Sequence, residues 1–297
     1  ENPGAYLGAE LGAHYQMGRD KLTFVTSPKL AGFQLWAEQL LAESTGKDSQ
    51  GILPIVSEPA TAAEFYGADR VFIYLRMNDD TNVAADDHVN RLKEAGFYMI
   101  ERSLNDIYDL GFEFYVWKFA TAVVGAVLGV NPFNQPNVQQ SKDATRQVLE
   151  AYIDSGTLPE IKGISFEDLL EQTPHGGYLA IMAYLHQTQM IDDAVGVLRR
   201  SILERRRITT TFGYGPRFLH STGQLHKGGK PNGVFLQLIS EASGVTPIPG
   251  QAYDFEVLVA AQALGDMEAL ASRKRPTSKV ILGVDAADQI KKLVRLV

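Results

Sequence analysis

Short apolar segments that alternate with longer helical patterns are the feature that most constrains this fold. Helical patterns cover residues 27–43, 83–95, 112–128, 137–154, 190–206, 253–271 and 286–296. Eight segments between or beside them read as strands, at 22–26, 51–56, 71–75, 97–101, 178–184, 208–212, 234–239 and 280–282. Several of these lack polar alternation, as expected for parallel strands that are covered on both faces. The pattern predicts an α/β protein with a mostly parallel sheet flanked by helices.

Length and composition limit the class of protein. The 297 residues are 45% hydrophobic and 21% charged, which is ordinary for a globular chain with one large or two modest domains. The turn-like segment 155–163 favours a division into residues 1–158 and 159–297. The net charge of −7 argues against nucleic acid as a partner. Because the chain has no cysteine, disulfides and thiolate metal sites are excluded, and a cytoplasmic location fits.

A long apolar stretch at 112–130 raises the question of a membrane. Glu113 and Lys118 lie within it, whereas a membrane span needs about 20 residues with few or no charges. We therefore expect a buried helix and no membrane partner.

The helical pattern at 28–43 places two polar residues on one side. Its apolar stripe follows the spacing of an amphipathic helix and consists of Leu30, Phe33, Ala37, Leu40 and Leu41. Gln39 and Glu43 fall on roughly the opposite face, and Gly46 is a helix stop signal. A carboxylate at a helix C-terminus has a raised proton affinity because the dipole there is negative, which suits a base near neutral pH. The alternative is an ordinary solvated face.

Two further segments carry polar residues in glycine- or proline-rich settings. Residues 131–142 form an Asn/Pro-rich loop with Gln135 at its centre and Lys142 seven residues later. An alternative interpretation of that segment is a helix-capping loop with an exposed lysine. Residues 212–229 contain His220, Gln224 and His226. The six-residue spacing of the two histidines fits neither a helix face nor a strand face, and no carboxylate or cysteine completes a ligand set, so we expect no metal.

These three segments together resemble the C-terminal signatures of the phosphoglucose isomerase family. The third is similar to the C-terminal portion of the bifunctional transaldolase/phosphoglucose isomerase chains of bacteria. The resemblance implies a second sugar-isomerase domain with a three-layer αβα fold at 1–158, and a C-terminal α/β extension at 159–297 that carries the histidine loop. It also implies interconversion of glucose 6-phosphate and fructose 6-phosphate through an enediol, without a cofactor.

The resemblance assigns a role to each matching residue. Glu43 is the base, Gln39 contacts the sugar, and Gln135 contacts sugar hydroxyls. Lys142 acts on the ring oxygen or on O1. His220 opens the ring and Gln224 accompanies it, with His226 as the nearest rival.

The match also has departures. Asn137 stands where the family usually has Gly or Ala, Gln139 where Glu is usual, and Ser141 where Gly is frequent. In ordinary family members the histidine falls between the Glu and Lys motifs, whereas His220 follows Lys142 here.

A phosphate site is the part of the expected enzyme that the sequence lacks. In the family it lies in a Ser/Thr-rich loop of the first sugar-isomerase domain, and the segment 26–29 is a weak substitute that reads as a helix N-cap. We therefore expect the preceding sugar-isomerase and transaldolase domains of the same chain as partners, with a sugar phosphate as ligand. A homodimer is left open, and the isolated chain is expected to be inactive. The alternative is a non-catalytic sugar-phosphate-binding module.

Overall fold

The computed structural model describes residues 2–160, 162–241 and 245–297, and the chain divides into two compact units. The first unit is Glu1–Gln135 with Gly228–Lys230, and the second is Pro136–Lys227 with Pro231–Val297. These compact units divide after Gln135, because the helix that begins at Pro136 packs on a helix of the second unit. The assignment of 1–158 to a sugar-isomerase domain stays a prediction.

The first unit is a four-stranded parallel sheet with helices on its faces. Its helices are α1 (Pro3–Gln16), α2 (Ala31–Thr45), α3 (Val83–Glu94) and α4 (Asp109–Leu128). Its strands are β1 (Lys21–Thr26), β2 (Leu53–Ile55), β3 (Arg70–Met77) and β4 (Met99–Leu104), in the order β2-β1-β3-β4. All three neighbouring pairs are parallel.

Helix α4 joins the core of the first unit. By length and composition it could cross a membrane, yet its inner side is buried at Val116, Trp117 and Val124 and belongs to the hydrophobic cluster with α1, α2 and the sheet. Within the same helix, Glu113 accepts a hydrogen bond of 2.6 Å from Arg102 Nε. One side of α4 is therefore buried as expected, whereas Phe112 and Tyr115 of the same helix are exposed.

The second unit repeats the architecture with a different set of elements. Its strands are β5 (Tyr178–Tyr184), β6 (Thr209–Tyr214), β7 (Gly233–Ser240) and β8 (Thr277–Leu282), all parallel in the order β6-β5-β7-β8. Its helices are α5 (Pro136–Ser155), α6 (Phe166–Glu171), α7 (Gln189–Arg206), α8 (Thr222–Gly228), α9 (Phe255–Ser272) and α10 (Ala286–Leu293). Residues of α6, α7 and α10 pack together with β5 and β7 in one core cluster, and α5 packs against α9.

The predicted fold class is confirmed, since both sheets are parallel and flanked by helices in three layers. All eight predicted strands are present. Three helices, α1, α6 and α8, were not predicted. Glycines obscure the pattern of α1, where a Cβ added to Gly8 would lie 2.5 Å from the Ala120 carbonyl oxygen, so close packing on α4 requires glycine there. The predicted glycine-rich histidine loop is wrong in its second part, because residues 222–228 form α8.

Candidate active site

Helix α2 presents the first two predicted site residues side by side. The predicted stripe is buried at Leu30, Phe33, Ala37 and Leu41, with Leu40 partly buried against the same core. Gln39 is exposed and Glu43 is half-buried one turn later. Gln39 Nε2 donates to Glu43 Oε2 over 3.5 Å. Helix α2 ends at the predicted stop, with Gly46 as its C-cap.

The Glu43 carboxyl has an altered proton affinity. Burial raises its pKa above the ordinary value, while the hydrogen bond from Gln39 and the charge of Lys47 partly oppose the shift. The direction agrees with the prediction from the helix dipole, but the leading cause is desolvation. A carboxylate of this kind is suited to taking up a proton near neutral pH.

Lys47 connects the end of α2 to the loop of the second motif. Its side chain is buried, and Nζ donates to the carbonyl oxygen of Asn131 at 2.7 Å and to Oδ1 of Asn134 at 3.2 Å. It also donates to the Asn134 carbonyl oxygen. Burial lowers the pKa of Lys47, while nearby Asp48 and Glu43 oppose that shift. This lysine therefore holds the 131–134 loop next to the turn that follows Glu43.

The remaining residues of the second motif lie on both sides of the unit division. Gln135 is exposed as the last residue before α5, in the first unit. Lys142 is exposed on α5, in the second unit. The predicted site residues are thus shared between units, with Gln39, Glu43 and Gln135 in one and Lys142, His220 and Gln224 in the other.

Gln224 is buried within the second unit and engages Asn137. Its Oε1 accepts from the backbone N–H of Asn137 at 2.9 Å, and its Nε2 donates to Asn137 Oδ1 at 2.8 Å. Both side chains are almost fully buried. The paired amides fix the start of α5 against α8, which gives Gln224 a positioning role; contact with a substrate stays a prediction.

The departures of the second motif have partners in this unit. Asn137 supplies the side chain that Gln224 binds. Ser141 is buried with its Oγ 3.5 Å from Asp266 Oδ1, and Gln139 Nε2 donates to Asp143 over 2.9 Å. The three residues that depart from the family pattern therefore form contacts that stabilise α5. Lys142 is exposed on the same helix.

The two candidate histidines differ in access. His220 is exposed at the end of a short 3₁₀ turn, Arg217–His220. His226 is buried on α8, with Nδ1 3.1 Å from the Tyr178 hydroxyl and its ring packed near Phe235. Burial lowers the pKa of His226 well below its ordinary value, helped by Lys227 and Arg275. Of these two, only His220 is accessible to a ligand in this structure.

The segment 26–29 was considered as a phosphate site, but its polar groups form contacts within the protein. Ser27 is fully buried, and its Oγ accepts from the Met77 N–H at 2.7 Å and donates to Asn82 Oδ1 at 2.5 Å. Lys29 is exposed and pairs with Asp79 at 3.0 Å. The Ser27 hydroxyl therefore stabilises the end of β1 and is not presented to a ligand.

Lys47 and Asn137 are the residues that sequence reasoning missed. Both stand inside the motifs, but their contacts span 84 to 87 positions along the chain. The sequence signal for Lys47 was its position directly after the helix-stopping Gly46.

Comparison with known proteins finds similarity to glucose-6-phosphate isomerases over part of the chain. Residues covering 39% of the chain are 27% identical to a glucose-6-phosphate isomerase from Latilactobacillus sakei, over 151 residues and 34% of that protein. A second, from Leptospira biflexa, is 28% identical over 166 residues, 43% of this chain and 37% of the relative. The matched part thus spans about a third of the length of these curated relatives. No family model matches the sequence.

Solved structures give more distant likenesses. A hypothetical protein from Thermus thermophilus is 13% identical, with a TM-score of 0.35 over 99% of this chain and 82% of that one. The C-terminal domain of glucosamine-fructose-6-phosphate aminotransferase from Francisella tularensis is 8% identical, with a TM-score of 0.28 over 96% and 83% of the two chains. At these TM-scores the likeness does not establish a shared fold.

Proposed function

We propose that this chain is the C-terminal part of a glucose-6-phosphate isomerase, joined in the native protein to a transaldolase. The observation that carries the proposal is the bond network of Lys47, which fixes the loop of the second motif to the turn after Glu43. Two motifs that are far apart in sequence are thus held together beside a carboxylate of raised pKa. The partial similarity to glucose-6-phosphate isomerases supports the same conclusion.

Glu43 acts as the base in this mechanism. With the sugar in its open form, the carboxylate removes the proton from C2 of glucose 6-phosphate, and the electron pair of the C–H bond forms the enediolate. A proton passes from O2 to O1 of the intermediate, and the protonated Glu43 then returns its proton to C1, which leaves a carbonyl at C2 and a hydroxyl at C1 and gives fructose 6-phosphate. Since the raised pKa brings the carboxyl nearer to neutral pH, both halves of the transfer are favoured.

Polar side chains complete the chemistry. Gln39 orients the Glu43 carboxylate through its amide and contacts the sugar, and Gln135 contacts sugar hydroxyls. Lys142, as a cation, stabilises charge on the ring oxygen or O1. His220 opens the cyclic sugar as an accessible imidazole, whereas Gln224 serves through Asn137.

The phosphate site is supplied from outside this chain in our proposal. The Ser27 hydroxyl is used in internal hydrogen bonds and does not bind a ligand. A preceding sugar-isomerase domain of the same native polypeptide therefore binds the phosphate. Binding energy from a remote phosphate orients the reacting carbons, so its loss lowers turnover as well as affinity. The complete protein, which also contains the transaldolase domain, would be a cytoplasmic enzyme of carbohydrate metabolism.

Activity measurements on the isolated and completed enzyme test the proposal. The 297-residue chain alone should fold but convert glucose 6-phosphate no faster than a buffer control. Addition of the preceding sugar-isomerase domain, in one polypeptide or as a separate chain, should restore conversion. A chain that isomerises alone at the restored rate would contradict the division of the site. A completed enzyme that binds glucose 6-phosphate without converting it would point to a sugar-phosphate-binding module.

A further inference from the structure

The sheet of the second unit has a topological switch point between β5 and β7. From β5 the chain passes through α7 to β6 on one side, and from β7 it passes through α9 to β8 on the other. Helix α7 belongs to the core cluster with α6 and α10, whereas α9 packs with α5. In open parallel sheets, ligands bind in the crevice outside the carboxyl ends of the strands at such a point.

A cleft with two lobes occupies this position. Both lobes are bounded by Leu185, His186, Ser240 and Glu241, at the carboxyl ends of β5 and β7. The smaller lobe has a volume of about 340 Å³ and the larger about 710 Å³. We name this feature the switch-point cleft. It lies wholly in the second unit and uses none of the residues assigned to isomerisation.

The smaller lobe has apolar walls. Tyr184, Ile239, Val259 and Ala260 line it, and Phe255 stands at its edge with half of its side chain exposed. An exposed aromatic ring beside an apolar slot is suited to a flat, weakly polar group, since offset stacking and burial both favour such a group.

The larger lobe carries a net negative charge, with apolar side chains between its charged groups. Its carboxylates are Asp193, Glu241, Asp285 and Asp288, and its lysine, Lys291, pairs with Asp288 at 3.5 Å. Glu241 faces this lobe, because a Cβ built on Gly283 would lie 3.6 Å from its Oε2. Carboxylates accept hydrogen bonds from hydroxyl groups and repel phosphate.

The turn after β5 lacks the features of a phosphate loop. Residues 185–188 contain no glycine, so the backbone is not shaped for close approach of a pyrophosphate. Thr188 Oγ1 accepts from the Ile191 N–H over 3.3 Å, and the start of α7 is thereby capped by the protein itself.

We propose that the switch-point cleft binds a nucleoside without a phosphate. The base occupies the apolar lobe against Phe255, and the ribose hydroxyls donate to the Glu241 carboxylate. This assignment does not depend on the isomerase activity, because it rests on a separate sheet edge.

Calorimetric titration of the 297-residue chain with adenosine and with adenosine monophosphate tests the charge argument. Adenosine should bind with a measurable dissociation constant, and the monophosphate should bind at least about 10-fold more weakly because its charge faces the carboxylates. No binding of adenosine up to about 5 mM, on the order of the weakest affinity that such a titration resolves, would overturn the proposal. Equal or tighter binding of the monophosphate would also overturn it.

Three variants locate the ligand. Ala260→Phe fills the apolar lobe and should abolish adenosine binding. Glu241→Gln removes an exposed charge without disturbing the core and should weaken binding about 10-fold, the loss of one charge-assisted hydrogen bond. Glu268→Gln, an exposed position on the same helix α9 outside the cleft, is the matched control and should bind like the parent chain. Unchanged binding in both cleft variants would overturn the assignment, and Glu241→Gln remains decisive if Ala260→Phe fails to fold.

Discussion

Lys47 Nζ lies 2.7 Å from the carbonyl oxygen of Asn131, although 84 positions separate the two residues in sequence. The bond ties the turn after α2, the helix that carries Glu43, to the loop before α5, where Gln135 lies. Lys47 is buried and its partners are backbone and amide oxygens, so its charge is used to organise a loop. The Lys47 ammonium group therefore adds to the packing of α2 on α4 in holding the second motif next to the candidate base.

Replacement of Lys47 by methionine should destabilise the first unit. The change keeps the apolar stem but removes the hydrogen bonds that the ammonium group donates to the carbonyl oxygens of Asn131 and Asn134, and a hydrogen bond to a charged group contributes about 1.5–3 kcal/mol. Denaturant unfolding would measure the free energy of unfolding. Lys29→Met, at an exposed lysine paired with Asp79, is the matched control and should change stability by less than about 0.5 kcal/mol. Equal stability of the two variants would show that the Lys47 contacts are not formed in solution.

Replacement of His220 should affect the reaction, whereas replacement of His226 should affect the stability of the fold. His220→Ala in the completed enzyme should slow conversion of the cyclic sugar much more than exchange of the C1 proton of open-chain fructose 6-phosphate with solvent. The reason is that an exposed imidazole which only opens the ring is not needed once the ring is open. Equal losses in both measurements would remove His220 from this step.

His226→Ala serves as the comparison in that experiment. Because His226 is buried against Tyr178 and Phe235, its removal leaves a cavity and takes away its hydrogen bond with the Tyr178 hydroxyl. It should therefore lower the thermal midpoint, whereas His220→Ala should leave the midpoint within about 1 °C of the parent, as is usual for an exposed position.

Glu43 should make stability depend on pH in a defined direction. Its folded pKa is raised, so the folded chain holds this proton more tightly than the unfolded chain does. The folded state is therefore favoured below the unfolded pKa, and that advantage is lost as pH rises through the folded pKa. Glu43→Gln removes the ionisation, so its thermal midpoint should exceed that of the parent at about pH 7–8 and approach it near about pH 4, close to the ordinary pKa of Glu. A variant that is less stable than the parent at about pH 8 would contradict the raised pKa.

The strands and most helices could be predicted because each is a local pattern. Strands such as β5 are short apolar runs, and the stripe of α2 has the helical period. Helix α1 could not be predicted in this way, because Gly4, Gly8 and Gly12 lower the local helix propensity. This helix is stabilised by packing on α4. Helix α8 was missed for a related reason: its polar side chains Gln224 and His226 form hydrogen bonds with partners that are distant in sequence.

The candidate site residues could be named from the sequence. The contacts that hold them in position could not. The spacing of Gln39 and Glu43 predicts that they share one helix face, and in the structure a hydrogen bond of 3.5 Å joins them. The raised pKa of Glu43 was expected from the helix dipole, but its main cause is burial, which only the packed structure reveals. The division after Gln135 depends on packing between α5 and α9, and no local signal marks it.

In the proposed mechanism, Glu43 carries the proton between C1 and C2 of the sugar. The most direct measurement is transfer of deuterium from solvent water into C1 of fructose 6-phosphate, catalysed by the completed enzyme with and without Glu43→Gln. The amide keeps the shape and the hydrogen bonding of the carboxyl but cannot take up a proton. We predict that exchange and turnover at saturating substrate both fall by about 10²–10⁴-fold while substrate affinity is nearly unchanged. A fall of less than about tenfold, below the range typical of a general base, would contradict the assignment of Glu43 as the base.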